Sequence, residues 1–138
     1  MRVLIPIDGS EQSTAALEYA AETFDSDEFV LLHVIDPVEA GYSAAATMPG
    51  YSEEWYENQK EEAETLFEEA RDRLPNQEVR TEIEVGRPSR TIVSYVEDHD
   101  VDHVVMGSHG RSGVTRILLG SVAESVVRRS PIPVTIVR

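Results

Sequence analysis

The chain has 138 residues, the size of one ordinary domain, and its 12 lysines and arginines face 26 aspartates and glutamates for a net charge of −14. Such a charge repels nucleic acid and anionic lipid, so we expect neither as a partner. The absence of cysteine excludes disulfides and thiolate metal sites and favours a reducing compartment.

Two further features concern where the protein works. The opening MRVLIPIDGS lacks the long apolar segment of a signal peptide, and no window approaches 18 uninterrupted apolar residues. We therefore expect a cytoplasmic protein without a membrane span. Lys60 is the only lysine. An acidic composition poor in lysine resembles that of proteins from salt-loving organisms, although an ordinary acidic protein would share it.

The first half of the chain alternates apolar runs with helical patterns. Residues 3–7 are almost continuously apolar, as expected for a strand buried on both faces. Ser10 can cap a helix that runs to about Phe24. Residues 29–35 predict a second buried strand. The small and polar residues 36–52 then predict a long loop, and loops of this length are usually functional or mobile.

The second half continues the alternation. Apolar residues recur at helical spacing from Trp55 to Leu74, with glutamates on the opposite, solvated face. Residues 79–85 alternate apolar and charged side chains, which predicts a half-exposed strand at a sheet edge. Pro88 suits the first turn of a third helix. The remaining predicted elements are a buried strand at 101–106, a helix at about 114–129 and a last strand at 132–137.

This order of elements predicts an α/β fold in one domain, residues 1–138. Strands that alternate with helices pair in parallel through right-handed crossovers, with helices on both faces of the sheet. Ligands of such sheets bind beyond the carboxyl ends of the strands, where the strand order reverses.

The segment GSHGRSGVTRILLGS, residues 107–121, falls at such an end. Gly107 and Gly110 allow backbone conformations closed to other residues and a close approach of ligand. Gly120 interrupts a helical pattern at a cost of about 1 kcal/mol. A helix broken there, with its new amino end and Ser121 facing the loop, would bind phosphate. The alternative is a turn plus a glycine that serves helix packing.

Gly107-x-x-Gly110, nine residues and Gly120-Ser121 resemble the nucleotide motif of the universal stress protein family. The resemblance covers the whole chain, including VLIPIDGS, HVID, GRP and PIPVTIVR. It implies a five-stranded parallel sheet of order 3-2-1-4-5, of the Rossmann-like, adenine nucleotide alpha hydrolase-like kind. Members with an intact motif bind ATP, so the resemblance implies ATP, or AMP or ADP, together with Mg²⁺.

The resemblance also implies which residues surround the nucleoside. Asp8 would lie near the ribose hydroxyls, although an aspartate here could serve only as a loop or cap residue. Pro6 would line the pocket, and the backbone of Val34 would read adenine. Met106 and Gly107 would flank the ribose.

The same family pattern places five residues around the phosphates, mostly through N–H groups: His109, Gly110, Gly120, Ser121 and Val122. Arg111 could neutralise a phosphate or be solvated. His109 invites a catalytic interpretation, but a loop histidine without a paired acid is more often solvated, so no catalytic residue is assigned. We expect structural roles for His33, His99 and His103.

Three functions remain open on these observations. The first is an ATP-binding stress or regulatory protein with at most slow hydrolysis, because no residue set supplies an evident general base. The second is a weak ATPase or nucleotidyl-transfer enzyme. The third is a nucleotide-free dimeric interaction or chaperone-like module. The apolar last strand, 132–138, resembles the family's dimerisation strand and predicts a homodimer.

Overall fold

The computed structural model of the chain describes residues 1–24, 28–38, 53–109 and 119–138. The elements in chain order are β1 Arg2–Pro6, α1 Glu11–Thr23, β2 Glu28–Ile35, α2 Glu53–Asp72, β3 Glu78–Val85, α3 Pro88–Asp98, β4 His103–Gly107, α4 Ser121–Arg129 and β5 Val134–Val137. All four strand pairs are parallel, and the sheet order is β3-β2-β1-β4-β5. The α/β class and the order 3-2-1-4-5 are thus confirmed.

The apolar strands bury both of their faces because helices cover both sides of the sheet. Alternate residues of a strand point to opposite faces. Val3 and Ile5 of β1 therefore join a core with α1 and α2. Leu4, between them, joins a second core with α3 and α4. These residues are fully buried, and each large aliphatic side chain stabilises the fold by about 1.5–3 kcal/mol.

Strands β3 and β5 are the two edges of the sheet. In β3, Val79 and Ile83 pack on the core beneath α1 and α2, whereas Arg80 and Glu84 are exposed. The alternation of residues 79–85 therefore predicted its edge position correctly. Charged side chains on such a strand also discourage pairing with another chain.

Several element boundaries differ from the sequence prediction. The fourth strand begins at His103 rather than 101, because Asp102 uses its N–H and its carboxylate to bond the backbone of Arg2. The last strand begins at Val134 rather than 132. Pro133, which has no N–H to donate, precedes it and offers only its carbonyl, to the N–H of Val104. Most of the predicted loop 36–52 lies outside the described residues.

A partly buried histidine joins β4 to the edge strand β5. The Nε2 atom of His103 lies 2.7 Å from the Thr135 hydroxyl, and its ring centroid lies 5.1 Å from that of Phe24. Burial lowers the pKa of His103 below its ordinary value of 6.5. The unfolded chain therefore binds a proton more readily than the folded protein. The stability that this histidine contributes is fully present above pH 6.5 and is lost as the pH falls from there through the lowered pKa of the folded protein.

We therefore expect His103→Gln to reduce the loss of melting temperature between about pH 7.5 and about pH 5.5. Thermal unfolding of both proteins at the two pH values measures this difference. The wild type and the variant contain the same carboxylates, so the difference between their pH dependences reports the histidine. Identical pH dependence in the two proteins would contradict the assignment.

Candidate functional site

The carboxyl ends of β1 and β4 meet at the point where the strand order reverses. These two strands are neighbours, with Val3 opposite His103 and Leu4 opposite Val104. The chain leaves β1 toward α1, which covers one face, and leaves β4 toward α4, which covers the other. Divergent connections of this kind open a crevice, which is where α/β sheets bind ligands.

The turn between β1 and α1 forms one side of this crevice. Asp8 accepts the N–H of Ser10 on its Oδ1 atom at 2.9 Å, and Gly9 has a φ of +82° that favours glycine. Ser10 then accepts the N–H of Ser13 on its hydroxyl at 3.1 Å. The side chain of Ser10 thus caps the amino end of α1, and Asp8 is held at the mouth of the crevice.

An apolar wall lies on the α3–α4 face below the crevice. Val34, Met106 and Val122 pack in one core on that face, and Met106 is only 5% exposed. Pro6 ends β1 two residues after Leu4, which belongs to the same core. The structure therefore packs three residues that the sequence assigned to the site, Val34, Met106 and Val122, in one core, and places Pro6 at the end of the neighbouring strand β1.

Gly107 does not have the special backbone conformation that the sequence analysis expected. Among the described residues, positive φ angles occur at Gly9 and Gly86, so Gly107 does not adopt a conformation reserved for glycine. A Cβ atom here would lie 2.7 Å from the backbone carbon of Gln12. Gly107 is thus required because the end of β4 packs directly against α1.

Ser108 connects three elements behind the crevice. Its N–H donates to the carbonyl of Val137 at 2.9 Å, and its own carbonyl accepts the N–H of Gly120 at 2.6 Å. Its side chain is buried, and the hydroxyl lies 3.1 Å from Nδ1 of His109. The site prediction missed this residue. A serine among glycines directly after a buried strand was the available signal.

The amino end of α4 faces this loop. Gly120 is its N-cap residue with a φ of −70°, so the glycine precedes the helix rather than interrupting it, and the interior cost does not apply. A Cβ atom at Gly120 would lie 3.2 Å from the carbonyl of Ser108 and 3.4 Å from Cα of His109. Glycine has no side chain to cap the helix, so within the described part of the chain the N–H groups of Ser121, Val122 and Ala123 suit an anionic ligand.

The amino ends of α1 and α3 are less suitable for a ligand at this crevice. Ser10 caps α1, as described above. The N-cap residue of α3, Arg87, makes no side-chain cap, but α3 follows the edge strand β3 rather than the crevice. Compared with α1 and α3, α4 thus has an amino end that lies at the reversal point without a side-chain cap from its N-cap residue, and its partial positive charge favours an anion there.

Of the remaining predicted site residues, only His109 lies within the described part of the chain. His109 lies beside Gly120 and is half-buried. Gly110 and Arg111 lie outside the described residues, so the second glycine of the motif has no structural description. The part of the predicted fourth helix before residue 119 lies outside them as well.

The other histidines have structural partners, as expected. Nδ1 of His33 lies 2.8 Å from the carbonyl of Ile7, and Nδ1 of His99 lies 3.0 Å from the carbonyl of Tyr95. Across the described ranges, no group of three His, Cys, Asp or Glu side chains could hold a metal ion. No helix within those ranges is long and apolar enough to cross a membrane.

The crevice, the apolar wall and the open helix end define an α/β domain with a candidate ligand site at the reversal of strand order. The sequence model of the universal stress protein family matches residues 1–138, and the chain belongs to that family. A relative, universal stress protein MJ0577 of Methanocaldococcus jannaschii, is 36% identical over 99% of this chain and 94% of its own length. Its solved structure superimposes with a TM-score of 0.86 over the same shares of the two chains.

Two more distant solved structures carry a nucleotide. A universal stress protein in complex with cAMP is 24% identical, with a TM-score of 0.66, over 100% of this chain and 96% of its own. The universal stress protein of Archaeoglobus fulgidus in complex with dAMP is 19% identical, with a TM-score of 0.67, over 100% and 98%. At these identities the two likenesses show a shared fold.

Proposed function

We propose that this chain, acting as one domain over residues 1–138, binds an adenine nucleotide at the crevice between β1 and β4, with ATP as the leading ligand. The observation that carries the proposal is the amino end of α4, which has a glycine N-cap and lies against the loop after β4. Phosphate suits such an end because backbone N–H groups and the helix dipole both favour negative charge. The cAMP and dAMP complexes of proteins with this fold support the adenine nucleotide class.

In this proposal the nucleoside lies against the residues at the strand ends. Asp8 would bond the ribose hydroxyls, Pro6 would line the nucleoside pocket, and the backbone of Val34 would read adenine. Met106 and Gly107 would flank the ribose. The triphosphate would extend toward His109 and Gly120. It would accept hydrogen bonds from N–H groups of α4 and from the Ser121 hydroxyl. Gly110 is also assigned to the phosphate site, on the basis of the sequence motif alone.

Mg²⁺ would be held mainly by the phosphates and water. The described residues offer no cluster of metal ligands, and Mg²⁺ usually keeps several waters when it accompanies a nucleotide. Its charge would offset that of the phosphates.

The role of the nucleotide is regulatory in this proposal, with at most slow hydrolysis. Of the described site residues, Asp8 and His109 could act as a base. Asp8 accepts the Ser10 N–H, and Nδ1 of His109 lies against Ser108. Both side chains are thus engaged in holding their loops, which suits a binding site better than rapid proton transfer.

The direct test is to purify the protein, denature it and identify any released nucleotide by chromatography. We expect an adenine nucleotide, either carried through purification or retained after incubation with ATP and Mg²⁺. Protein that carries no nucleotide and retains none after incubation would overturn the proposal and favour a nucleotide-free interaction module.

The net charge predicts an unusual salt dependence. ATP is multiply negative and approaches a protein of charge −14, whereas none of the described site residues is a lysine or an arginine. The Debye length is about 30 Å at ~0.01 M salt and about 3 Å at ~1 M, so salt screens distant carboxylates more than contacts at the site. We expect ATP affinity, at fixed excess Mg²⁺, to rise from dilute buffer toward molar KCl.

Calorimetric titration at several salt concentrations measures this slope, with circular dichroism to show that the protein is folded at each. A site built from lysines and arginines would show the opposite slope. A steady fall in affinity for the folded protein would mean that local positive charge dominates binding.

The edge strand β5 favours a homodimer as part of the functional unit. It pairs with β4 on one side, and its four residues Val134–Val137 are all partly exposed. We expect the full-length chain to sediment as a dimer at micromolar concentration, and deletion of residues 134–138 to give monomer or aggregate. A full-length protein that sediments as a monomer would refute pairing through β5.

A further inference from the structure

We infer that His33 and Ser13 are positioning residues for Asp8, and that together they orient its carboxylate toward the ribose of the nucleotide. The inference rests on the proposed function, in which Asp8 bonds the ribose hydroxyls. Its starting observation is that the peptide unit between Ile7 and Asp8 is held at both of its polar atoms by side chains from two different elements. Neither His33 nor Ser13 was assigned to the site from the sequence.

The carbonyl of this peptide is held by β2, at the first residue of the HVID stretch. Nδ1 of His33 lies 2.8 Å from the carbonyl oxygen of Ile7, and the histidine is only 6% exposed. A carbonyl oxygen can only accept, so Nδ1 is the donor and carries a proton in this contact, whether the ring is neutral or charged. The N–H of Ile7 donates to the carbonyl of Leu32 at 2.9 Å. Both backbone groups of Ile7 are thus fixed to β2 after β1 has ended.

The N–H of the same peptide is held by α1. The N–H of Asp8 donates to the Ser13 hydroxyl at 3.4 Å, and that hydroxyl donates to the carbonyl of Ser10 at 3.1 Å. The donor and acceptor roles are unambiguous because an N–H can only donate and a carbonyl can only accept. Ser13 is buried in the first turn of α1, which restricts its side chain. The long contact with Asp8 is weak alone, and it acts as the second of two restraints on one peptide plane.

These two bonds determine where the Asp8 side chain points. A peptide unit is planar, so fixing its carbonyl oxygen and its N–H sets the orientation of the plane and of the Cα atom attached to it. The N–H of Ser10 donates to Oδ1 of Asp8 at 2.9 Å and sets the carboxylate itself. A carboxylate has about four acceptor sites, so bonds within the turn and bonds to ribose hydroxyls are compatible. His33 and Ser13 therefore act on the ligand through Asp8.

The ratio of two affinities measures this positioning. ATP and dideoxy-ATP share the base and the triphosphate and differ in the ribose hydroxyls, which the dideoxy compound lacks. We expect the wild type to bind ATP at least about tenfold more tightly, because dideoxy-ATP loses hydrogen bonds to a charged carboxylate. In Ser13→Ala and in His33→Leu this preference should fall to about threefold or less, while affinity for dideoxy-ATP changes less than about twofold. His33→Asn keeps a donor near the position of Nδ1 and should restore most of the preference.

Further variants distinguish positioning from a general loss of structure. Asp8→Ala should bind both nucleotides with nearly equal affinity, and adding Ser13→Ala to it should leave their ratio unchanged. Thr14→Ala removes a hydroxyl from the next residue of α1 and should keep the wild-type preference. Equal weakening of ATP and dideoxy-ATP by Ser13→Ala or His33→Leu, with the preference intact, would overturn the inference. Circular dichroism establishes that each variant is folded.

NMR of the ligand-free protein tests the two bonds separately from nucleotide binding. Long-range ¹H–¹⁵N spectra should show His33 with a proton on Nδ1. Amide hydrogen exchange of Asp8 should become about fivefold to tenfold faster in Ser13→Ala, the change typical of one lost hydrogen bond. A His33 ring without a proton on Nδ1, or unchanged exchange of Asp8, would overturn the inference.

The wild type itself separates failure of the inference from failure of the proposed function. If both bonds are present and the protein binds neither ATP nor dideoxy-ATP, the proposed function is refuted and, with it, the role toward ribose. If the wild type binds ATP and dideoxy-ATP equally, nucleotide binding stands, and the ribose contact of Asp8 and the inference built on it are refuted.

Discussion

Gly107→Ala is expected to lower the free energy of unfolding by about 3 kcal/mol, which corresponds to a fall of about 10 °C in melting temperature. The added Cβ atom would lie 2.7 Å from both the backbone carbon and the Cβ atom of Gln12, and 2.8 Å from its carbonyl oxygen. The first turn of α1 holds this backbone in place, so no flexible side chain can move aside. Thermal and denaturant unfolding of the purified variant measure the loss.

Gly120→Ala is the matched control for this substitution. Its Cβ atom would lie 3.2 Å from the nearest atom, the carbonyl oxygen of Ser108, and its φ of −70° suits any residue. We expect a loss below about 1 kcal/mol, the scale of a poorer N-cap residue. A Gly107→Ala protein as stable as the Gly120→Ala protein would contradict the close packing of β4 on α1.

Ser121→Ala is expected to weaken ATP binding about tenfold to a hundredfold, because a hydrogen bond to a charged group is worth about 1.5–3 kcal/mol. Ser121 is exposed at the first position of α4, so the stability of the ligand-free protein should remain nearly unchanged. Ser121→Thr keeps the hydroxyl and should retain affinity within about threefold of the wild type. Calorimetric titration with ATP and Mg²⁺ compares the three proteins.

Ser89→Ala provides the control at a different helix. Ser89 lies in the first turn of α3, which follows the edge strand β3. Its loss should leave ATP affinity unchanged. If Ser121→Ala binds ATP as the wild type does, the hydroxyl has no phosphate contact, and if Ser89→Ala weakens binding equally, the ligand is not confined to α4.

Much of the fold could be predicted because its signals are local. Buried strands such as residues 29–35 are almost continuously apolar, and Pro88 and Ser10 mark helix starts by their own chemistry. The edge position of β3 followed from its alternating charges. The strand order came from the family resemblance, since the hydrophobic pattern of each strand is nearly the same in any order.

The parts that the sequence did not predict depend on contacts between distant residues. The requirement for glycine at position 107 comes from its close approach to Gln12, and the start of β4 depends on the hydrogen bonds between Asp102 and Arg2. Only the folded chain brings these residues together. The position of Gly120 outside α4 could not be inferred from an apolar pattern that continues through it. Ser108 was overlooked because a serine is ordinary in sequence, and its burial and its contact with His109 exist only in the fold.

The most direct test of the central claim is an amide ¹H–¹⁵N NMR titration of the folded protein with ATP and Mg²⁺. We expect the largest shifts on the first turn of α4, residues 121–123, and on residues 107–109 and Asp8 at the two strand ends. Amides in β3 and in the first turn of α3 should change little. Shifts concentrated at β3 or α3, or no shifts at saturating ATP, would contradict a nucleotide site between β1 and β4.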